Sequence, residues 1–433
     1  MQELLGFALG SFLGNILGQN SPSVEQVQSV VWQEAKVFDV PTQPDPVVES
    51  IVADYLKQLT AQGVSPEEQG VWIQSDWAYL GEHQSKMPFS AASLTKIATS
   101  LAALETWGTE HRFETRIYRV GTLNQGILEG DLVIQGSDDP LFVWEEAIAL
   151  GNQLNQLGIE KVTGNLIIID NFYMNFKPNS QTSGELLKLA LNSSRWTPLI
   201  EQQYRQFPPN TPRPQITIDG NVQVQKTLSE KAKLMVRHQS LTVAELLKQM
   251  NLYSNNAMAE MFAQAVGGAD KVAEIVTKTS KIDSNEVQLI NGSGLGVENR
   301  ISPRASVEML QIMEEKLKDN PLSVADLFPM GGRDKSGTVQ WRNLPNGVAV
   351  KTGTLAQVSA LAGVIPTKER GQVWFAIINH GSNIDKFRQE QDQLLQRLAQ
   401  HWQVMPVVSP VTNTEQVKLG DPQRNITTEK KQN

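Results

Sequence analysis

The chain has 433 residues, with 38 lysines and arginines against 46 aspartates and glutamates, a formal charge of −8. That acidity, with no Lys- or Arg-rich run, excludes general nucleic-acid binding, which needs a basic surface. The absence of cysteine excludes disulfide staples, thiolate zinc sites and a cysteine nucleophile. Apolar residues make up 40%, enough for a sizeable core, and the length suggests about two or three domains. His83, His111, His238, His380 and His401 are scattered without metal-ligand spacing, so neither a metal nor a cofactor is expected.

Residues 4–18 are apolar, with Gly6, Gly10, Gly14 and Gly18 forming one small-residue stripe on a helix. The stretch is shorter than the roughly 20 residues that span a bilayer. It also lacks a basic n-region, since the first cationic side chain is Lys36. Three readings compete: an atypical export signal, a start mis-assigned inside one, or an interfacial helix. An export or anchor role is preferred, with peripheral membrane association through residues 4–18. Residues 19–45 are polar, contain Pro22, Pro41 and Pro44, and read as a linker.

Asp45-Pro46 is a good N-cap and N1 pair, and Val47, Ile51, Val52, Tyr55 and Leu56 follow at helical spacing. Val71–Ile73 and Ala78–Leu80 read as strands of a hairpin. A helix is expected from Ser93 to Trp107, ended by Gly108, with Leu94, Ile97, Ala98, Leu101 and Leu104 on its apolar face. From about residue 112 short β-like runs take over, as at Arg116–Val120, Asp131–Gln135 and Asn165–Asp170, with a turn at Asn124-Gln125-Gly126. Residues 175–235 are polar and proline-rich and announce no clear element.

Thr242-Val243-Ala244-Glu245 fits a capping box, and a second helix runs from Asn256 to Val266 before Gly267-Gly268. Val348–Thr354, Val358–Ile365 and Val373–Asn379 predict an antiparallel meander. A helix over Ile384–Trp402 follows, and residues 405–433 read as a loose tail. The expected division is a 1–45 segment and linker, a catalytic domain from 46–111 plus 236–404, a mostly-β insert at 112–235, and the tail.

Three small motifs carry chemistry. In Ser93-Leu94-Thr95-Lys96, residues three apart share a helix face. A serine at the helix start meets unpaired N–H groups and a positive local field. A neutral lysine there could take the hydroxyl proton, provided burial or a nearby cation lowers its pKa. Taken alone, the pair reads more readily as a serine N-cap beside a solvated lysine. Ser254-Asn255-Asn256 lies between two expected helices. Its serine can relay a proton, and the Asn256 amide can hold both a lysine and a substrate carbonyl, although serine and asparagine are also ordinary loop residues. Lys351-Thr352-Gly353, followed by Thr354, ends an expected strand. The lysine and threonine suit a carboxylate, and the glycine clears space for a ligand along the strand. Lys335-Ser336-Gly337 is a decoy without a preceding β run.

Together, and in this order, the three motifs are the set found in penicillin-binding proteins and class A β-lactamases. The chain resembles the low-molecular-mass class C penicillin-binding proteins, the serine D-alanyl-D-alanine carboxypeptidases and endopeptidases. Pro88–Ala92 before Ser93, Gly130–Ile134, Gly136–Pro140, Gly164–Asp170, Asn291–Leu295 and Asn299–Pro303 are similar to segments of that family. The similarity covers about residues 65–400. The resemblance implies an α/β (α+β) fold: a transpeptidase-like antiparallel sheet flanked by helices, with an inserted domain. One inserted subdomain is expected to be trimmed relative to larger members.

It also implies roles. Ser93 would be the nucleophile, Lys96 its base, Ser254 the proton relay and Asn256 the holder of Lys96 and peptide. Lys351, Thr352, Gly353 and Thr354 would line the carboxylate site, Lys351 would help keep Lys96 neutral, and the backbone N–H groups of Ser93 and Thr354 would form the oxyanion hole. The implied substrate is a peptidoglycan stem peptide ending in D-Ala-D-Ala, with β-lactams as inhibitors and the periplasm as compartment. The rivals are a β-lactamase and an inert peptidoglycan-binding paralogue. Gly292-Ser293-Gly294 is read as a turn without a catalytic role.

Overall fold

The computed structural model describes residues 44–280, 282–405 and 418–428. Residues 4–18 and the linker up to 43 lie outside them. A five-stranded antiparallel sheet runs in the order Ala349–Leu355, Val358–Thr367, Gly371–His380, Gln69–Ser75, Tyr79–His83. Its central strands are apolar on both faces because helices cover both. On one face lie helices Pro46–Ala61 and Ile384–Trp402, burying Val48, Ile51, Tyr55, Phe387, Leu395 and Trp402 against Ile73, Leu361 and Phe375. Each such large side chain contributes on the order of 1.5–3 kcal/mol when fully buried. On the other face pack helices Thr95–Trp107 and Pro303–Leu317, with Ile97, Leu101, Met309 and Met313 against Ala360, Ala362 and Ala376.

The local signals act as the chemistry predicts. The Asp45 carboxylate accepts from the Val47 and Val48 N–H groups at the start of Pro46–Ala61. Thr242 and Glu245 form a reciprocal capping box that opens helix Val243–Leu252. The meander pairs Lys351 with Ala362, Thr352 with Leu361 and Gly353 with Ala360. Side chains alternate across a strand. Ala349 belongs to the core on the Thr95–Trp107 side, so Lys351 and Gly353 face that helix too. Strand Ala349–Leu355 is the sheet edge, and among the described residues its outer side is engaged by a single bridge from Met330 to Ala349.

A second sheet is built around the hairpin Arg112–Asn124 and Ile127–Gln135. Its turn residues Gln125 and Gly126 both have positive φ, 46° and 83°, as a tight hairpin turn demands. Leu166–Ile169 and then Val222–Gln225 extend the sheet in parallel, and Lys233–Thr242 closes its other side. The segment that announced no element contains helices Ser180–Ala190 and Pro198–Tyr204. With Trp144–Gln156, they cover one face through Ile148, Leu150, Leu187 and Ile200.

The expected loose tail needs correction. Residues 418–428 return to this sheet, with Asn425–Thr427 paired antiparallel to Val236–His238. The anchors are polar, which is why apolar periodicity did not reveal them. Arg424 forms an ion pair with the buried Glu146, the Gly420 N–H donates to Glu146 at 3.0 Å, and Asn425 Oδ1 lies 2.8 Å from His238 Nδ1.

A small three-stranded sheet of Val287–Gln288, Arg300–Ile301 and Phe89–Ser90 matters for position. It ties the loop 289–299 to the segment leading into Ser93, and the Ala91 N–H donates to the Asn299 carbonyl at 2.9 Å.

Candidate active site

The approach to Ser93 is a constrained turn. Strand Phe89–Ser90 ends, Ala92 takes a left-handed φ of 47°, and a 3₁₀ turn over Ala92–Leu94 leads into helix Thr95–Trp107. Left-handed backbone is disfavoured for a residue with a Cβ and persists only when the surroundings impose it. Here Gly294 is packed on the Ala92 carbonyl so closely that a Cβ on Gly294 would overlap it. The turn leaves Ser93 half-buried, two residues ahead of the α-helix, which the sequence predicts to begin at Ser93 itself.

Lys96 lies one turn on and is fully buried. Its Nζ lies 2.9 Å from Ser93 Oγ, and donates to Asn256 Oδ1 at 2.7 Å and to the Ser293 main-chain carbonyl at 2.7 Å. Burial pushes its pKa down to about 7, while Glu260 pulls the other way. A neutral amine has two N–H donors and one lone pair. The carbonyl and the amide oxygen can only accept, so they take both donors. The lone pair is left facing the one partner that owns a proton, the Ser93 hydroxyl.

Ser254 sits in the turn between helices Val243–Leu252 and Asn256–Val266 and has a left-handed φ of 50°. Asn255 is the N-cap of the second helix, accepting from the Met258 N–H at 3.1 Å. That cap fixes where Asn256 starts, and hence its reach to Lys96. Lys351 Nζ donates to Ser254 Oγ at 3.1 Å and to the Thr352 carbonyl at 2.7 Å. Lys351 is fully buried; burial and then the like charge of Lys96 hold its pKa well below the ordinary lysine value. Thr352 is buried, whereas Thr354 is exposed and its Oγ1 accepts from Arg388 Nη2 at 3.1 Å.

Gly353 brings the strand against the turn. A Cβ there would lie 3.0 Å from the Ala91 carbonyl oxygen, 3.1 Å from the Ser93 nitrogen and 3.2 Å from the Ala360 Cβ. Neither backbone atom can yield without moving Ser93. Gly353→Ala is therefore expected to slow acylation by about tenfold, because the turn must give by a few tenths of an ångström and a misplacement of about 1 Å costs about a hundredfold. Stopped-flow labelling with a chromogenic β-lactam measures it, and acylation within threefold of wild type would contradict this account of the contact.

The structure thus gathers Ser93, Lys96 and Asn256 into one hydrogen-bonded group, places Lys351 on Ser254, and lays Gly353 against Ser93. Lys335-Ser336-Gly337 lies in a loop and 3₁₀ turn, where Ser336 Oγ is 3.5 Å from the Tyr253 hydroxyl. Three participants went unread in the sequence: the Ser293 carbonyl, Glu260 and Arg388. A main-chain carbonyl leaves no sequence signal. Glu260 had one, being four residues beyond Asn256 and so on the same helix face.

Over residues 52–180 and 210–401 the sequence matches the D-Ala-D-Ala carboxypeptidase 3 (S13) family. The chain belongs to that family. It is 24% identical over 383 residues to the D-alanyl-D-alanine carboxypeptidase DacB of Haemophilus influenzae, covering 65% of this chain and 78% of that one. It is also 24% identical to a carboxypeptidase of Mycobacterium tuberculosis, covering 70% and 73%. Among solved structures, a predatory endopeptidase of Bdellovibrio bacteriovorus in complex with an immunity protein aligns with a TM-score of 0.67 at 22% identity. That alignment covers 80% of this chain and 96% of that one. Penicillin-binding protein 4 of Haemophilus influenzae aligns with a TM-score of 0.60 at 19% identity, covering 80% and 98%. These likenesses show a shared fold. The S13 protein described here is thus a hydrolase of the D-Ala-D-Ala peptidase class. Among its described residues, no helix is long and apolar enough to cross a membrane.

Proposed function

We propose that this S13 protein is a serine D-Ala-D-Ala carboxypeptidase, acting on peptidoglycan stem peptides through an acyl-enzyme on Ser93. The observation that carries the reading is the position of Lys96 Nζ, 2.9 Å from Ser93 Oγ and 2.7 Å from each of two acceptor-only oxygens, which leaves a neutral amine's lone pair for the Ser93 hydroxyl. Lys96 takes the Ser93 proton as Oγ attacks the carbonyl of the penultimate D-alanine. The oxyanion forms against the backbone N–H groups of Ser93 and Thr354. Ser254, held by Lys351, relays to the leaving amine the proton that Lys96 took up, and the terminal D-alanine departs. Lys351, Thr352 and Thr354 hold its carboxylate, and Asn256 Nδ2 holds the peptide. Water then cleaves the ester on Ser93, releasing a stem peptide shorter by one D-alanine. A β-lactam follows the same first step, but its leaving group stays tethered, so the ester persists.

The same site accepts an endopeptidase reading, since the bond between a D-alanine and a side-chain amine presents the same carbonyl. The substrate's place in the cell wall puts the enzyme outside the cytoplasm. Incubation with a fluorescent penicillin tests the reading: wild type is expected to carry a stable label and Ser93→Ala none. Retained label in Ser93→Ala would overturn the nucleophile. Rapid release of hydrolysed penicillin by wild type would select a β-lactamase, and an unlabelled wild type an inert paralogue. Mass spectrometry of defined muropeptides then reads out which bond is cut.

A further inference from the structure

The helix that brings Asn256 to Lys96 carries a second group aimed at the same lysine indirectly. One turn beyond Asn256, the half-buried Glu260 carboxylate accepts two main-chain N–H bonds. The Gly292 N–H donates to Oε2 and the Ser293 N–H to Oε1, each at 3.0 Å. The carbonyl of that same Ser293 receives the Lys96 amine at 2.7 Å. Residue 293 is therefore pinned at both ends of its backbone, by Glu260 at the nitrogen and by Lys96 at the oxygen. The loop is seated closely on this helix as well. A Cβ on Gly292 would come within 2.4 Å of the Ala263 Cβ and 2.5 Å of the Ala259 oxygen. On the other side, Thr99 Oγ1 donates to the Gly292 carbonyl at 2.7 Å.

We propose that Glu260 is a positioning residue for the proton transfer. By clamping the Gly292 and Ser293 N–H groups, it aims the Ser293 carbonyl at Lys96 and so fixes the direction of the amine's lone pair. The inference rests on the acyl-enzyme reading given above. Two acceptor-only oxygens are needed to occupy both N–H groups of a neutral amine, one from the Asn256 side chain and one from this loop. If the loop carbonyl drifts, the amine can rotate, and its lone pair no longer points at Ser93. The carboxylate has an electrostatic consequence too. Its negative charge favours the ammonium form of Lys96 and partly offsets the effect of burial. Glu260 on the helix is the charged group that bears on Lys96, whose own charge in turn opposes that of Lys351 at the sheet edge, while Ser93, Asn256 and Ser254 are neutral. Glu260 thereby links the aim of the base to the pH at which it works.

The test is the pH dependence of fluorescent-penicillin acylation in the full chain, for wild type, Glu260→Gln and Glu260→Ala, with Ser93→Ala alongside. Both Glu260 variants are expected to shift the acid limb to lower pH by about half a unit or more, because the attractive charge is gone. The plateau rate is expected to fall about tenfold or more in Glu260→Ala, and less in Glu260→Gln, whose amide oxygen still accepts one N–H bond. The isosteric glutamine variant carries the test if the alanine variant does not fold. A purely structural clamp predicts a lower melting temperature with the acid limb unmoved, and that result in Glu260→Gln would overturn the inference. The two readings fail separately. Label retained in Ser93→Ala sinks the acyl-enzyme itself, whereas Ser93-dependent labelling with an unmoved acid limb sinks only the role of Glu260.

Discussion

Lys96→Ala is expected to slow acylation of Ser93 by about 10⁴-fold, the upper end of what a positioned acid or base supplies. No other amine reaches the Ser93 hydroxyl among the described contacts, and Lys351 is committed to Ser254 and the Thr352 carbonyl. Lys96→Met is the companion variant, since it keeps most of the buried volume and removes only the amine. A comparable loss in both assigns the effect to proton transfer and not to a cavity. In wild type the base must be neutral to act. Its pKa lies at about 7 in the folded protein, so acylation should climb as pH rises through that value and level off above it. The direction would be the same for an unperturbed lysine, but the rise would then centre near 10.4. A flat profile between pH 5 and 9, or Lys96→Met acylating within tenfold of wild type, would show that some other group takes the proton.

What the sequence disclosed and what it withheld divide along physical lines. The three motifs were legible because each needs particular side chains at short spacing, and the fold brings those side chains together. Helix Ile384–Trp402 and the capping box at Thr242 were legible too. One depends on apolar periodicity, the other on a local hydrogen-bond pattern, and both are written within a few residues of chain. The Ser293 carbonyl was illegible because every residue has a carbonyl and only its direction matters here. That direction comes from Glu260, 33 positions away in sequence from Ser293. The docked segment 418–428 was missed for a related reason. It is fastened by Arg424 to Glu146 and by Asn425 to His238, long-range polar pairs within a composition that reads as tail. Helices Ser180–Ala190 and Pro198–Tyr204 each bury only one narrow face on the second sheet, so their apolar signal was diluted by polar residues and prolines. The proposed substrate site, a sheet edge against a strained turn, could be expected only through family resemblance. Periodicity predicted the strand but not which of its edges would remain open.

Lys351→Met should push stability and activity in opposite directions. The side chain is fully buried, and its pKa sits well below the ordinary lysine value because burial and then Lys96 oppose the charge. An unfolded lysine is protonated up to about 10.4. Across the range between the folded and unfolded values, unfolding therefore takes up a proton that the native state declines. Stability rises with pH wherever the unfolded state binds more protons, so this lysine's penalty is absent at strongly alkaline pH and grows as pH falls toward neutrality. Replacing it by methionine, of similar length and without a charge to desolvate, removes that penalty. The variant is expected to melt several degrees higher than wild type at pH 7, with the gap closing as pH approaches 10. Activity should move the other way. Ser254 loses the donor that holds its hydroxyl, and the carboxylate of the substrate loses the N–H donors of the Lys351 amine. Hydrolysis of a D-Ala-D-Ala peptide is expected to fall by about 10³-fold, within the range for loss of a preorganised electrostatic partner. A melting temperature that drops in Lys351→Met at neutral pH would mean the ammonium is paired and stabilising in the folded protein. The sheet-edge lysine would then have to be read as a structural cation instead of one kept uncharged for catalysis.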